Sequence, residues 1–267
     1  MKKFTFPAIF FILSQISAQD FQSSADSLKS SQQKPTELKN IVKTNITAYA
    51  FRNINLTYER VFAKWFSATI GYSTMPDGKI PFLKSILSEE DYQELGDLSA
   101  SSSAFTLEAR FYLGKGYGKG FYVAPYYRNS SFGAKGFNYK YEYEYYEENE
   151  GNSQLIQEEI PLLTSGSTKA NSFGLLIGSQ FFLNKKGSWI LDWWIGGGHY
   201  GAGSGNFDMV SNRSLTPDQQ NALKADLEDL DIPLLKYEVT TTTNGAKIKI
   251  DGPWAGLRSG LSLGYRF

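Results

Sequence analysis

Two stretches of this sequence carry residues whose types and spacing could support catalysis, and the first is a serine motif. Gly260-Leu261-Ser262-Leu263-Gly264 has the G-x-S-x-G spacing of serine hydrolases, in which the serine stands on a sharp turn between a strand and a helix. Only three residues follow Gly264, and apolar and small side chains alternate through the run. Because the nucleophile needs a helix after it, the pattern favours an ordinary β-strand.

His199, the one histidine of the chain, is the second candidate. An enzyme that modifies lipid in the outer leaflet of a membrane would need such a histidine beside a hydroxyl or a carboxylate, and Ser204 and Asp208 lie nearby in sequence. The alternative is an interfacial histidine beside Tyr200, and the alternation of the surrounding residues directs its side chain outward. We therefore predict no catalytic residue and keep a surface lipid hydrolase or acyltransferase as the alternative.

Composition excludes several other chemistries. The 267 residues include no Cys and one His, which rules out disulfides, zinc ribbons, iron–sulfur ligation and metal sites built on several histidines. The 27 basic residues equal the 27 acidic ones in number, so no excess of positive charge would attract nucleic acid. We expect no cofactor, no resident metal and no nucleic-acid partner.

The N-terminus has the pattern of a secretory signal peptide. Lys2 and Lys3 precede a mostly apolar run over 4–13, and a short polar run with small residues follows up to Ala18. The apolar run is too short for a transmembrane helix, which needs about 20 residues. We predict a signal peptide over 1–18, with cleavage near Ala18, and a flexible periplasmic tether over 19–40 that is rich in Ser and Gln.

From residue 41 onward, apolar side chains alternate with Gly, Ser, Thr and a few isolated charges. This period of two is typical of strands whose two faces meet different surroundings. The small polar residues suit a narrow interior, and the apolar face becomes aromatic near its ends, as at the two interfaces of a lipid bilayer. The alternation predicts eight strands, at residues 41–49, 53–62, 66–75, 102–113, 120–133, 171–183, 188–201 and 252–267.

The connections between these strands alternate in length. Every second connection is a short turn, and the long segments among the others are 76–101, 134–170 and 202–251. Such alternation is typical of outer-membrane barrels, whose periplasmic turns are short and whose extracellular loops are long. We therefore predict an all-β fold over 41–267, an eight-stranded antiparallel transmembrane up-and-down β-barrel with short helices in its extracellular loops.

The predicted barrel has a polar interior. An eight-stranded barrel is just wide enough for side chains to fill it, and charges buried there persist only when they are paired. We predict a plugged lumen in which Glu59 and Glu108 pair with Arg110 and Arg258. The full predicted network comprises Glu59, Glu108, Arg110, Arg128, Asp192 and Arg258. Lys43 faces inward by the same alternation but is not assigned to the network.

The long segments contain local patterns of their own. In 134–170, Tyr and charged residues alternate from Tyr139 to Glu148, which predicts that the hairpin of strands five and six continues well above the membrane. Its surplus of acids indicates either a surface for a basic partner or Ca²⁺, or a solvated hairpin that resists aggregation.

Two of the long segments also carry helix signals. In 202–251, Thr216 is a helix N-cap followed by Pro217, and a stripe of Leu223, Leu227, Leu230 and Leu234 is expected to pack on the rim of the barrel. In 76–101, Ser88 and Asp91 have the spacing of a capping box.

The chain ends in Tyr265-Arg266-Phe267, an aromatic pair similar to the C-terminal signal read by the barrel-assembly machinery. With the signal peptide and the strand pattern, it resembles the small OmpA/OmpX class of outer-membrane barrels. More narrowly, Lys43–Tyr49, Arg52–Arg60 and Gly71-Tyr72 resemble a Bacteroidota outer-membrane family catalogued as domain-of-unknown-function family 3575. The resemblance implies the outer membrane of a Gram-negative bacterium, with its lipid, its lipopolysaccharide and the assembly machinery as partners. It implies no activity.

These patterns together favour a non-enzymatic role in the cell envelope. We expect a structural protein, or one that binds a protein partner through the loops 76–101, 134–170 and 202–251. Two alternatives stay open, an outer-leaflet lipid-modifying enzyme that uses His199 and an accessory subunit of a larger outer-membrane complex.

Overall fold

The computed structural model describes residues 38–89, 95–114, 116–149, 152–230 and 234–267. The predicted signal peptide and nearly all of the predicted tether lie outside these residues. The described chain is all-β, as the alternation predicts, and none of its helices is long and apolar enough to cross a membrane.

Nine strands form one antiparallel sheet, in which strands that follow each other in sequence pair up to the seventh. The last strand pairs with the seventh along one edge and with the first along the other, so that the sheet closes into a ring. The strands are β1 (Asn40–Asn45), β2 (Ile54–Ala63), β3 (Phe66–Lys79), β4 (Ser99–Tyr112), β5 (Gly120–Asn149), β6 (Asn152–Phe182), β7 (Trp189–Ser211), β8 (Lys236–Thr242) and β9 (Gly245–Arg266).

The predicted number of strands is wrong, because the segment 202–251 contains a ninth. β8 pairs with β9, and the closed circuit of pairings passes through β1 to β7 and β9 without it. Its β-branched and aromatic residues, such as Tyr237 and Val239, favour a strand. Asn244-Gly245 follows at the turn, and this pair is common in tight hairpins.

The strands of the ring are staggered. Starting from Lys43, the paired residues on successive strands are Thr57, Gly71, Thr106, Arg128, Ser172, Gly201 and Trp254. Lys43 itself pairs with Gly264, ten residues beyond Trp254 on the same strand. A closed sheet with such a stagger has strands that tilt against its axis, typically by about 35–45°.

The wall of the ring varies in height, and this changes two of the predicted loops. β5 and β6 pair without a long interruption up to Asn149 and Asn152, so that 134–170 is a hairpin, and its predicted continuation is confirmed. β7 and β9 also extend into 202–251, up to Val210 and Gly245. The prediction of a long loop is therefore wrong for most of 202–251.

The first hairpin is much shorter than predicted, because β1 ends at Asn45 rather than near residue 49. The Asn45 side chain accepts hydrogen bonds from the Thr47 hydroxyl, at 2.7 Å, and from the backbone N–H of Ala48, at 3.1 Å. Such bonds from an Asn side chain curl the backbone into a turn. A 3-10 turn over Thr47–Phe51 takes the place of the expected strand end.

Two helices are described in the long segments. α1 (Leu83–Ile86) ends before the predicted cap Ser88, Glu89 directly after Ser88 is helical, and Asp91 lies outside the described residues. α2 (Pro217–Glu228) begins as predicted, with the Thr216 hydroxyl accepting from the N–H of Gln219 and the Gln219 side chain accepting from the N–H of Thr216.

α2 packs on the inner side of the raised wall, against residues of β5 to β9. Leu223 and Leu227 are buried there, whereas Leu230 and Leu234 are exposed because the helix ends at Glu228. The apolar stripe is therefore half as long as predicted. The buried residues of this upper cluster are Tyr141, Ile160, Leu162, Met209, Leu215, Leu223, Leu227, Val239 and Ala246.

The upper cluster predicts the effect of shortening one of its leucines. Leu223→Ala removes a side chain that is 0% exposed, and such truncations cost about 2–5 kcal/mol. We expect faster hydrogen exchange across α2 and β8, with the exchange of β1 to β4 unchanged. Leu230→Ala is the matched control, since Leu230 is 41% exposed. Equal exchange in both variants would contradict the packing described here.

Candidate functional site: an ion cluster and the cavity above it

The interior of the ring contains a cluster of buried charges centred on Lys43. Its Nζ donates to Glu59 Oε2 at 2.5 Å, to Asp192 Oδ2 at 2.6 Å and to Gln180 Oε1 at 3.0 Å. These partners come from β2, β7 and β6, so a single ammonium group connects four strands of the ring. All three donor positions of the Lys43 ammonium group have acceptors.

Arg110 of β4 completes the cluster from the other side of the ring. Its guanidinium donates to Asp192 at 2.7 Å and to Glu108 at 2.8 Å, and it lies 3.5 Å from Glu59. The Cζ atom of Arg110 also lies 4.5 Å from the centre of the Tyr122 ring, within the range of a cation–π contact. Arg110 is 0% exposed.

Hydroxyl groups satisfy the remaining carboxylate oxygens. Tyr112 and Ser67 donate to Glu59 Oε1 at 2.7 and 2.6 Å, and Tyr122 donates to Asp192 Oδ1 at 2.7 Å. Removing charges from water costs several kcal/mol for each ion, and only close pairing with full hydrogen bonding offsets that cost. The cluster meets both conditions.

A second layer of charge lies toward the raised wall. Arg258 donates to Glu108 at 3.0 Å, and its guanidinium lies 4.5 Å from the ring centre of Tyr126 and 4.8 Å from that of Trp194. Arg128 donates to the Thr106 hydroxyl at 3.1 Å and forms no ion pair with the described residues. Glu108 links the two layers, since it accepts from both Arg110 and Arg258.

The structure thus brings five of the six predicted network residues into direct contact. Arg128 stands apart from them, although it lines the same interior. Lys43, which alternation placed inside but which was left out of the network, holds its centre. Alternation can assign a side chain to the interior, but the stagger of the ring decides which interior residues share a level.

The alternation of the sequence predicts that His199 points outward, and this prediction is wrong. Ile177 pairs with Gly196 and Gly178 pairs with Trp194, so Ile195 is an extra residue in β7. Such a bulge moves every later side chain to the opposite face. His199 therefore faces the interior, where its Nδ1 and the Tyr126 hydroxyl share a hydrogen bond of 3.0 Å.

The structure does not assemble the catalytic arrangement considered for His199. Ser204 and Asp208 are exposed on the other face of β7, and Asp208 lies 3.8 Å from Lys247. Ser262, of the G-x-S-x-G run, lies within β9 and is buried. Among the described residues, no group of three or more His, Asp and Glu side chains is arranged to hold a metal ion.

A cavity above the ion cluster is continuous with a groove on the outer face of β6, β7 and β9, and the two have a combined volume of about 1820 Å³. Its floor includes Glu108, Arg128, Arg258 and His199, and its upper part is lined by large apolar side chains. The apolar residues that face it from the wall are Met75, Phe132, Phe207 and Trp254. Sequence alternation indicated a filled interior, but only the lower part of the ring is filled.

The ion cluster predicts a large effect for a single substitution at its centre. Lys43→Met removes one of the two cations that Glu59 and Asp192 share and leaves Arg110 as the other, and loss of a partner from a buried ion pair typically costs about 3–5 kcal/mol. We expect the midpoint of urea unfolding of the refolded protein to fall accordingly. Lys79→Met is the matched control, because the Lys79–Asp97 pair is exposed, and we expect a change below about 1 kcal/mol. Equal midpoints for both variants would contradict the role of Lys43.

Comparison with known proteins assigns no family to this arrangement. No protein-family model matches the chain, and no curated protein matches it. The resemblance to small outer-membrane barrels stays a prediction from the sequence.

Proposed function

We propose that this chain is an integral outer-membrane β-barrel with a plugged lumen, which acts through the structure above its rim. The observation that carries the proposal is an inversion of polarity. Arg110, Glu59 and Asp192 are 0% exposed inside the ring, whereas Phe173 and Tyr200 are 70% and 67% exposed on its outer face. A protein that folds in water would expose the charges and bury the aromatic rings.

The outer face supports a lipid environment in its arrangement as well as in its composition. Aromatic residues lie near the turn end of the ring, where Trp65 contacts Phe111 and Trp189 contacts Tyr265. A second aromatic group lies further along the wall, with Tyr127 against Phe173. Large exposed apolar residues lie between the two groups, including Ile70, Leu107, Leu175 and Ile177. Two aromatic girdles around an apolar band are typical of outer-membrane barrels.

The ring satisfies the main constraint that lipid places on a sheet at the level of β1. Backbone N–H and C=O groups need partners in a bilayer, and at this level the pairings of β1 with β2 and with β9 complete the circuit of strands. The stagger of ten residues around eight strands gives the tilt that such rings require. Short turns lie at one end and long hairpins at the other, as in barrels whose termini are periplasmic.

The ion cluster supports a plug rather than a channel. Ion pairs cross the interior, formed by Lys43 and Arg110 with their carboxylate partners. Because these side chains hold one another in place, none of them is free to move aside and open a channel. The raised wall of β5 to β9 and the upper cluster then form a surface to which a protein partner could bind. Exposed apolar residues there include Tyr146, Leu163 and Val210.

Site-specific labelling tests the membrane placement, since the natural chain has no cysteine. Glu147→Cys lies at the top of the β5–β6 hairpin, and Lys185→Cys lies in the turn between β6 and β7. We expect a membrane-impermeant maleimide to label the first variant in intact cells and the second only after the outer membrane is opened. Equal labelling of both variants in intact cells, or recovery of the chain in a soluble fraction, would overturn the proposal.

Conductance tests the plug. We expect the purified protein to produce no stable, large conductance in planar bilayers, because the paired charges close the interior below the cavity. A general porin reconstituted in parallel serves as the positive control. A stable, ohmic conductance of the purified chain is the result that excludes the plug. A pull-down in mild detergent addresses the accessory-subunit alternative, which predicts partners in stoichiometric amounts.

A further inference from the structure

Among the described residues, the wall of the ring has a gap between β9 and the first hairpin. The pairing of β1 with β9 ends near Leu261, whose C=O accepts from the N–H of Ile46 and whose N–H donates to the Thr47 hydroxyl. β8 pairs with β9 only from Gly245 to Asp251. Between these points, residues 252–260 of β9 have backbone partners on the β7 side alone among the described strands. An edge of nine residues is about 30 Å long.

The cavity above the ion cluster reaches this gap and passes through it. Its lining includes interior residues such as Arg258, and also Leu257, Ser259 and Leu261 on the outer face of β9. Ala48 and Phe51 of the 3-10 turn line it from the other side of the gap. The gap is thus a window that connects the interior with the outer surface of the ring.

The floor of the cavity carries unbalanced positive charge. On the floor itself two guanidinium groups, those of Arg128 and Arg258, accompany one carboxylate, that of Glu108. Among the described residues, Arg128 has no ion pair, and the buried Nη1 of Arg258 has no hydrogen-bond partner although its side chain is only 10% exposed. The hydroxyls of Thr69 and Ser130, which also line the cavity, are buried without partners as well.

These features point to a ligand with two different ends. An anionic oxygen group would meet the donors of Arg128 and Arg258, and charge-assisted bonds to guanidinium are among the strongest in proteins. The apolar residues Phe132, Phe207 and Trp254 above the floor, and Leu257 and Leu261 at the window, would contact a hydrocarbon chain. Neither a free inorganic anion nor a plain hydrocarbon would use both surfaces.

We propose that the cavity binds an amphiphile with an anionic headgroup, a carboxylate or a phosphate on an acyl chain. Its headgroup lies on Arg128 and Arg258, and its chain passes through the window beside β9. The binding site itself is inferred from the cavity and the charges that line it, without the membrane placement. The passage of the chain into lipid rests on the membrane placement proposed above.

Binding of defined probes tests the site. We would titrate the mature protein, reconstituted in nanodiscs of phosphatidylcholine, with oleate, with oleoyl lysophosphatidic acid and with oleyl alcohol, against empty nanodiscs. Oleyl alcohol has the same chain as oleate without the charge. We expect saturable binding of one anion per protein and weaker binding of the alcohol. Which of the two anions binds more tightly distinguishes a free fatty acid from a lipid phosphate as the source.

Arg128→Met is the decisive variant, because it leaves no buried carboxylate without its partner. We expect the dissociation constant of the anionic probes to rise by about tenfold to a hundredfold, and that of oleyl alcohol to stay the same. Arg60→Met is the matched control, since Arg60 faces outward and its guanidinium donates to Asn40. Unchanged affinity for both anions in Arg128→Met, or equal binding of oleate and its alcohol, would overturn the proposal.

The window has its own test. Ser259→Cys places a reactive group on the exposed edge of the gap, and Ser153→Cys places one on the distant β5–β6 hairpin. We expect a bulky maleimide on the first variant to prevent oleate binding, and bound oleate to slow its labelling, with neither effect in the second. Unimpeded binding to the labelled first variant excludes the window. A chain that binds oleate but fractionates as a soluble protein would overturn the membrane placement and leave the site in place.

Discussion

Lys43 holds two buried carboxylates and an amide at once, and the arrangement of the ring follows from that requirement. The side chains of four strands meet at one ammonium group, so the strands must arrive with a particular stagger. A shift of one residue in any pairing would move a charge to the apolar outer face. The ion cluster therefore specifies the register of the ring in a way that apolar side chains of similar size would not.

The same requirement divides the interior into two parts. Below, Arg110 bonds to Glu108 and Asp192, and paired charges cross the interior. Above, Arg128 has no ion pair among the described residues and Arg258 has one. The wall of the ring rises further and contacts the upper cluster around α2. The filled part of the interior and the part that contains the cavity thus lie at different levels along the axis. Glu108 contacts both, since it pairs with Arg110 and with Arg258.

Alternation in the sequence was enough to predict the strand class, most strand positions and the interior location of the charges. It failed where one residue changes the phase, as at Ile195, because a bulge leaves no sign in composition. β8 was missed although Asn244-Gly245 follows a β-branched run, since the prediction treated 202–251 as a single loop. The centre at Lys43 was out of reach because contacts across a ring depend on stagger, which only the full set of pairings determines.

The wall of the ring is low at β1 and high at β5 and β6, so that two sides of the molecule differ. The first hairpin ends in a 3-10 turn after six paired residues of β1, whereas β5 and β6 extend for about thirty residues each on the far side. In the membrane placement proposed above, a neighbour in the same plane would meet the gap beside β9 on the side of the first hairpin and a continuous sheet on the side of β5 and β6. Lateral association would then depend on direction, unlike that of a barrel of even height.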